Sequence, residues 1–264
     1  IDETVGFYTY LTDNQAVLPS YVWEQMGSVP VVPHEGFWKE YKEGQGVDFL
    51  QARGYITFDP TRHIHLQLGH DRNFIGNGFR SLAFSDHSAP SMFLRGNVKV
   101  WKLNYLFLLN QMTADVNGNR GGLHSIPKGY PDKFNALHHI SLNIGKNFNL
   151  GIFESVIFTK DDTLGSDHLR LDYFNPIIFY RAIEQQNGSS DNVVIGLDFK
   201  WNVLRSFQLY GQFLLDEFVL RQIRDGNGWW ANKFGIQAGG KYIDAFGLPN
   251  LDLQGESGAF PAVT

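Results

Sequence analysis

Cysteine is absent from the 264 residues. This excludes a disulfide framework, a thiolate zinc site and a cysteine nucleophile, and it leaves the compartment open. A basic excess is also missing: 22 Lys and Arg face 27 Asp and Glu, giving a formal charge of -5 and a pI near 6.0. That balance argues against a general nucleic-acid binder or a polybasic membrane-surface protein. No uncharged apolar run reaches the ~18 residues of a membrane-spanning helix. The opening Ile1-Asp2-Glu3 lacks the basic and apolar regions of a signal peptide, so any such segment is expected to have been removed already. Charged residues are only 19%, whereas 28 glycines and 15% aromatics (22 Phe, 11 Tyr, 6 Trp) are not the composition of a disordered chain. The length suffices for one large all-β domain.

Alternation is the dominant pattern. In His63-Ile64-His65-Leu66-Gln67-Leu68-Gly69, the His and Gln residues share one face and the aliphatic residues the other, a period of two. The same pattern recurs in Arg95–Val100, His139–Ile144 and Val194–Lys200. It predicts strands at Ala52–Asp59, Arg62–Asp71, Met92–Val100, Lys102–Ala114, Leu137–Gly145, Phe148–Phe158, Asn192–Trp201, Arg205–Asp216 and Lys233–Asp244, with a tenth starting at Asn250. Their lengths, roughly 9 to 12 residues, are those of strands that cross a bilayer at a tilt. Tight turns alternate with connectors of about 20, 22, 33 and 16 residues, the last four well beyond common hairpin loops. The fold class expected is all-β: an antiparallel up-and-down transmembrane β-barrel of about ten strands. Ile64, Leu66, Leu68, Val98, Val100, Ile140, Leu142, Ile195, Leu197 and Phe199 should face outward. His63, His65, Gln67, Arg95, Asn97, Lys99, Asn143, Asp198 and Lys200 should face inward. A soluble sandwich or closed barrel shares the alternation. Strand length, loop asymmetry and aromatics near strand ends (Phe93, Trp101, Tyr105, Phe148, Phe158, Trp201, Phe207, Phe234) favour the membrane.

The chain divides into an N-terminal segment at 1–51, associated with the barrel, and the barrel proper at 52–264. Within the first part, Thr4–Leu11 can form a strand and Pro19–Met26 a helix or loop, and Gly36–Gln51 reads as a lumenal or extracellular connector. Phe174–Glu184 is a candidate short helix with Pro176 near its first turn.

Candidate chemistry is sparse. His63, His65, His70, His138 and His139 include a same-face pair, but without HExxH spacing a lumen-facing polar row is the simpler reading, and no metal is expected. Gly76-Asn77-Gly78 lacks the third glycine and the following helix of a dinucleotide loop. Its glycines suit a folded loop, with Arg80, Ser81, Ser85 and Asp86 available to hold it against a wall. The carboxylates Asp161, Asp162, Asp167, Asp216 and Glu217 form no fixed catalytic pair, and no GxSxG motif is present. The expectation is therefore a non-enzyme without cofactor. Trp229-Trp230 beside Asp225-Gly226-Asn227-Gly228, together with Tyr130, Tyr173 and Tyr180, could stack on sugar rings; an interfacial aromatic girdle explains the tryptophans equally well. Gly69–Pro90 is long enough and rich enough in turn residues to fold inward as a plug.

The run Leu68-Gly69-His70-Asp71-Arg72-Asn73-Phe74-Ile75-Gly76-Asn77-Gly78-Phe79-Arg80-Ser81-Leu82, followed by Ser85-Asp86 and Ala89-Pro90, resembles the capsule-assembly Wzi-like family of outer-membrane proteins, including its gliding-motility relatives. Tyr10–Ala16 with Leu18-Pro19, Phe153–Ile157, Asn175-Pro176-Ile177, Gly196-Leu197-Asp198 and Asn250–Gln254 resemble further family segments in the same order. The resemblance implies a large plugged barrel in the outer membrane of a Gram-negative bacterium, in contact with lipid and with surface polysaccharide on its outer side. It makes Gly69, His70, Asp71, Gly76, Gly78, Arg80, Ser81 and Asp86 a structural loop motif. Because the family barrel is longer, a wall incomplete at the C-terminus is expected, with Ser257–Thr264 not continuing a strand. Besides polysaccharide binding, two alternatives stay open: an accessory subunit of a secretion or gliding assembly of envelope proteins, and a passive pore.

Overall fold

The computed structural model describes residues 4–26, 31–32, 34–42, 44, 46–113, 132–159, 171–175, 191–216 and 233–259. Its elements are β1 (Val5–Ala16), α1 (Ser20–Met26), β2 (Val31–Val32), β3 (Gly36–Phe37), β4 (Lys39–Tyr41), β5 (Gly46–Thr61), β6 (Ile64–Asp71), β7 (Ser91–Val100), β8 (Leu103–Thr113), β9 (Asp132–Ile144), β10 (Phe148–Thr159), β11 (Asn192–Val203), β12 (Phe207–Leu215), β13 (Phe234–Tyr242) and β14 (Leu253–Ala259). The fold is all-β, antiparallel and up-and-down. One twelve-stranded sheet runs β1-β5-β6-β7-β8-β9-β10-β11-β12-β13-β14, with β4 on the free flank of β5 beyond the end of β6. β2 and β3 form a separate pair. No pairing joins β1 to β14 among the described residues.

Register fixes two faces of opposite polarity, because side chains alternate along each strand and cross-strand partners share a side. Ile140 pairs with Ile152 and Tyr105, and Ile152 with Leu197. This face also carries Leu68, Leu94, Ile195, Leu209 and Ile236, all exposed. The other carries Arg95, Asn97, Asn143 and Asp198, as expected from the sequence, together with Gln212 and Gln237. The polar face is concave. The β6–β7 connector lies in it, its apolar half resting on Phe93, Leu106, Leu108 and Leu137 of β7 to β9 while its polar half reaches β12 to β14.

Short turns connect the strands at one end. Three of them hold bulky residues in the left-handed region: Trp101 at φ 55, Leu204 at φ 56 and Phe246 at φ 58, all highly exposed. Pro60, which cannot donate to a ladder, sits where the β5–β6 register shifts between Phe58 and Thr61.

The structure corrects the expected N-terminal part. Residues 36–51 are not a connector: they contain β3, β4 and the first six residues of β5, so a division at residue 51 would cut a strand. β1 extends to Ala16 and pairs with β5 along its whole length. The physical reason is local burial on the polar face. Val47 and Phe49 pack there with Met26, Val32 and Trp38, while Asp48 on the other face accepts from Gln15, so the polarity of this stretch is reversed relative to the rest of the sheet. At the other end, β14 starts at Leu253, not Asn250, and includes Ser257–Ala259, which the sequence reading had placed outside any strand.

Gly196 lies opposite Phe153, whose fully buried ring occupies the space a Cβ would need. Gly196→Leu should therefore lower stability by about 1–3 kcal/mol through overpacking, read as a shift in the denaturant midpoint. An unchanged midpoint would contradict the packing described.

Candidate functional site

The loop between β6 and β7 is held by its backbone. Phe79 N–H donates to Glu256 Oε2 (2.7 Å) and Arg80 N–H to Glu256 Oε1 (3.1 Å). Tyr210 hydroxyl donates to the same carboxylate (2.9 Å) and accepts from Gln254 Nε2 (2.8 Å). Leu82 N–H donates to Gln212 Oε1 (2.6 Å), and Gln237 Nε2 donates to the carbonyl of Arg80 (2.8 Å). Tyr210, Gln212 and Gln237 are buried. An irregular segment laid against a sheet needs partners for its backbone groups, and side chains of three strands supply them.

The expected loop motif divides by role. Ser81 hydroxyl donates to the carbonyl of Ile75 and accepts from Gln212 Nε2 (3.1 Å), tying the loop both to itself and to β12. Gly78 is required by close approach: a Cβ there would overlap the Glu256 carboxylate. At Gly76 a Cβ would press on Ser81 and Gln212, and at Gly69 it would press on Tyr55. Asp71 pairs with Arg53 (3.6 Å), and Arg72 reaches the carbonyl of His34 (2.8 Å) and Glu35 Oε1 (2.7 Å). The motif thus locks residues 34–35 into the same assembly. His87 lies ring to ring with His34 at 3.5 Å. The expected wall contact of Arg80 and Asp86 is corrected in part: their side chains face each other within the loop at 3.9 Å, half exposed, while Arg80 touches the wall through its backbone. Ser85 also stays within the loop, accepting from His87 N–H (3.3 Å). His70 points to the apolar face, with Nδ1 beside the carbonyl of Ala52 (3.0 Å).

The remaining candidates separate. His65 Nδ1 meets Asp59 Oδ1 at 2.6 Å, His63 meets the carbonyl of Lys99 at 2.9 Å, and His139 Nε2 meets Asp198 Oδ2 at 2.6 Å. His138 shares the opposite face with Tyr105 and Ile140. Among the described residues no three His, Asp or Glu side chains converge as a metal site. Tyr173 is not available to stack on a sugar: it is fully buried against Phe158, Ala136, Val156 and Val193, and its hydroxyl donates to Asp191 (2.8 Å). Asp216 lies 3.9 Å from Lys233. Tyr130, Asp161, Asp162, Asp167, Tyr180, Glu217, Trp229 and Trp230, and the helix expected beyond Asn175, lie outside the described residues.

Beneath the loop, toward the short turns, the concave face forms an open cavity of about 430 Å³ walled by β7 to β12. Comparisons with family models, curated proteins and solved structures returned no match.

Glu256→Ala removes the acceptor of two backbone donors and one hydroxyl, each bond to a charged group being worth roughly 1.5–3 kcal/mol. Hydrogen exchange of the Phe79 and Arg80 amides should accelerate at least about tenfold, a change of ~1.4 kcal/mol, and trypsin should gain access to Arg80. The far-UV spectrum of the sheet should not change. Undiminished protection would contradict the latch.

Proposed function

We propose that the protein is an outer-membrane β-barrel of a Gram-negative bacterium that binds or organises surface polysaccharide without turning it over. The observation that carries this reading is the inverted polarity of the sheet. Phe7 and Leu11 are each 68% exposed, Ile152 51% and Ile236 45%, on the face away from the loop, while amides and charges line the concave face. Water-facing proteins rarely leave so much contiguous apolar surface uncovered, and lipid accepts it at no cost. Trp101, Trp201, Phe207 and Phe246, exposed near the short turns, suit a membrane-interface girdle. Among the described residues, no helix is long and apolar enough to cross a membrane, which has no bearing on strands.

The inturned loop and the segment around α1 occupy the concave face at its long-connector end. Such a filled interior supports a plugged barrel over an open pore. The sugar-binding part of the proposal rests on the resemblance to the capsule-assembly family and on Trp229 and Trp230, whose side chains are suited to stacking on sugars.

A second reading, an accessory subunit of a secretion or gliding assembly, is favoured by the outer edges of β1 and β14, which carry no pairing among the described residues. Each unsatisfied backbone group in lipid costs several kcal/mol, and a partner in the wall would remove that cost.

Deletion of the gene should release surface glycan from cells, with retention restored by the wild type and not by a Trp229→Ala/Trp230→Ala variant. An unchanged glycan layer, with stoichiometric co-purification of other envelope proteins, would replace this reading with the second.

A further inference from the structure

The cavity beneath the loop carries a surplus of positive charge that no described carboxylate neutralises. Arg95, Lys99 and Lys200 line it, and no carboxylate among the described residues lies within 4.0 Å of any of them. The acidic side chain that lines it, Asp198, is already engaged by His139 at 2.6 Å. Among the described residues Arg95 meets Asn73 Oδ1, at a long 3.5 Å. Three cations set into a concave wall without a described carboxylate partner repel one another, and an anion relieves that repulsion.

The neighbours of these cations narrow the anion's chemistry. Asn97, Asn104, Asn143 and Asn149 line the same cavity, and side-chain amides both donate to and accept from hydroxyl groups. An anion that carries hydroxyls beside its negative charge engages both kinds of partner. The volume of about 430 Å³ lies within the range of small-ligand pockets, ~300–1,000 Å³.

We propose that this cavity is a binding site for an acidic sugar, a uronic acid unit whose carboxylate is held by Arg95, Lys99 and Lys200 and whose ring hydroxyls hydrogen-bond to the asparagine amides beside them, Asn104 among them. The proposal rests on the polysaccharide-binding reading and adds to it a ligand class and a second location. The site faces the short-turn end of the sheet, where Lys99, Asn143 and Lys200 lie.

Titration calorimetry of the full chain in detergent micelles tests the assignment, with trigalacturonate as probe and maltotriose and sulfate as controls. Trigalacturonate should bind, more weakly as salt is raised, and maltotriose at least about tenfold more weakly. A Lys99→Gln/Lys200→Gln variant should lose at least about tenfold in affinity for trigalacturonate while the Phe79 and Arg80 amides keep their exchange protection, which establishes that it folds. Asn104→Leu should weaken trigalacturonate more than sulfate. Absence of trigalacturonate binding, equal binding of maltotriose, or an unaffected double variant would overturn the proposal. Sulfate binding as tight as trigalacturonate and lost in the double variant would overturn the sugar assignment in favour of a simple anion site. Surface-glycan retention reports the parent reading separately. Retention with no trigalacturonate binding sinks the cavity assignment alone, whereas binding without any effect of gene deletion on the glycan layer sinks the polysaccharide-retention reading.

Discussion

Every feature of the molecule depends on the strict two-residue alternation of side chains along strands locked in register. A slip of one residue would carry Arg95, Asp198 and Gln212 to the apolar face and Leu94, Leu197 and Phe213 into the concavity. Long antiparallel ladders prevent this. β9 and β10 pair without irregularity from Ile144 and Phe148 to Lys133 and Thr159. Buried ring-over-glycine contacts, such as Phe153 over Gly196 and Tyr210 over Gly239, add positional keys that a slipped register would destroy.

The concave face then acts as a scaffold for an irregular segment. A loop inside a sheet is costly unless its backbone groups find partners. Here those partners come from strands far along the chain: Gln212 for Leu82, Gln237 for Arg80, and Glu256 for Phe79 and Arg80. The apolar side of the loop, Ile75, Ala83 and Phe84, completes a small core with β7, β8 and β9. One loop thus ties the middle of the sheet to its last described strand, and the cavity below it exists because the loop stops short of the short-turn end.

Much of this was legible in the sequence where one physical signal acted alone. β6, β7 and β11 alternate cleanly, and their polarity and approximate limits follow from residue order. The inward course of the loop was also legible, from its length and turn residues between two strong strands. The first part of β5 was not, because α1 covers Val47 and Phe49 on the polar face while Asp48 lies on the other, which reverses the polarity of the alternation there. The partners of the loop were not either. Gln212, Gln237 and Glu256 are ordinary concave-face residues until the fold brings them against residues 79–82, and only their position on the polar side of β12, β13 and β14 could have marked them as available. Tyr173 shows the converse: an aromatic in a long connector looks exposed, yet this one fills a gap against Phe158 and Val156.

The central claim is that the sheet presents its apolar face to lipid and its polar face to water. The lack of cysteine makes this directly measurable, since each engineered thiol is unique. Ile140→Cys and Leu197→Cys on one face, with Ser141→Cys and Asn143→Cys on the other, can be labelled with an environment-sensitive fluorophore in reconstituted bilayers. The account predicts blue-shifted emission quenched by brominated lipid chains at positions 140 and 197, and quenching by aqueous iodide, not by brominated lipid, at 141 and 143. Aqueous quenching at 140 and 197 equal to that at 141 and 143, with no effect of brominated chains, would contradict it.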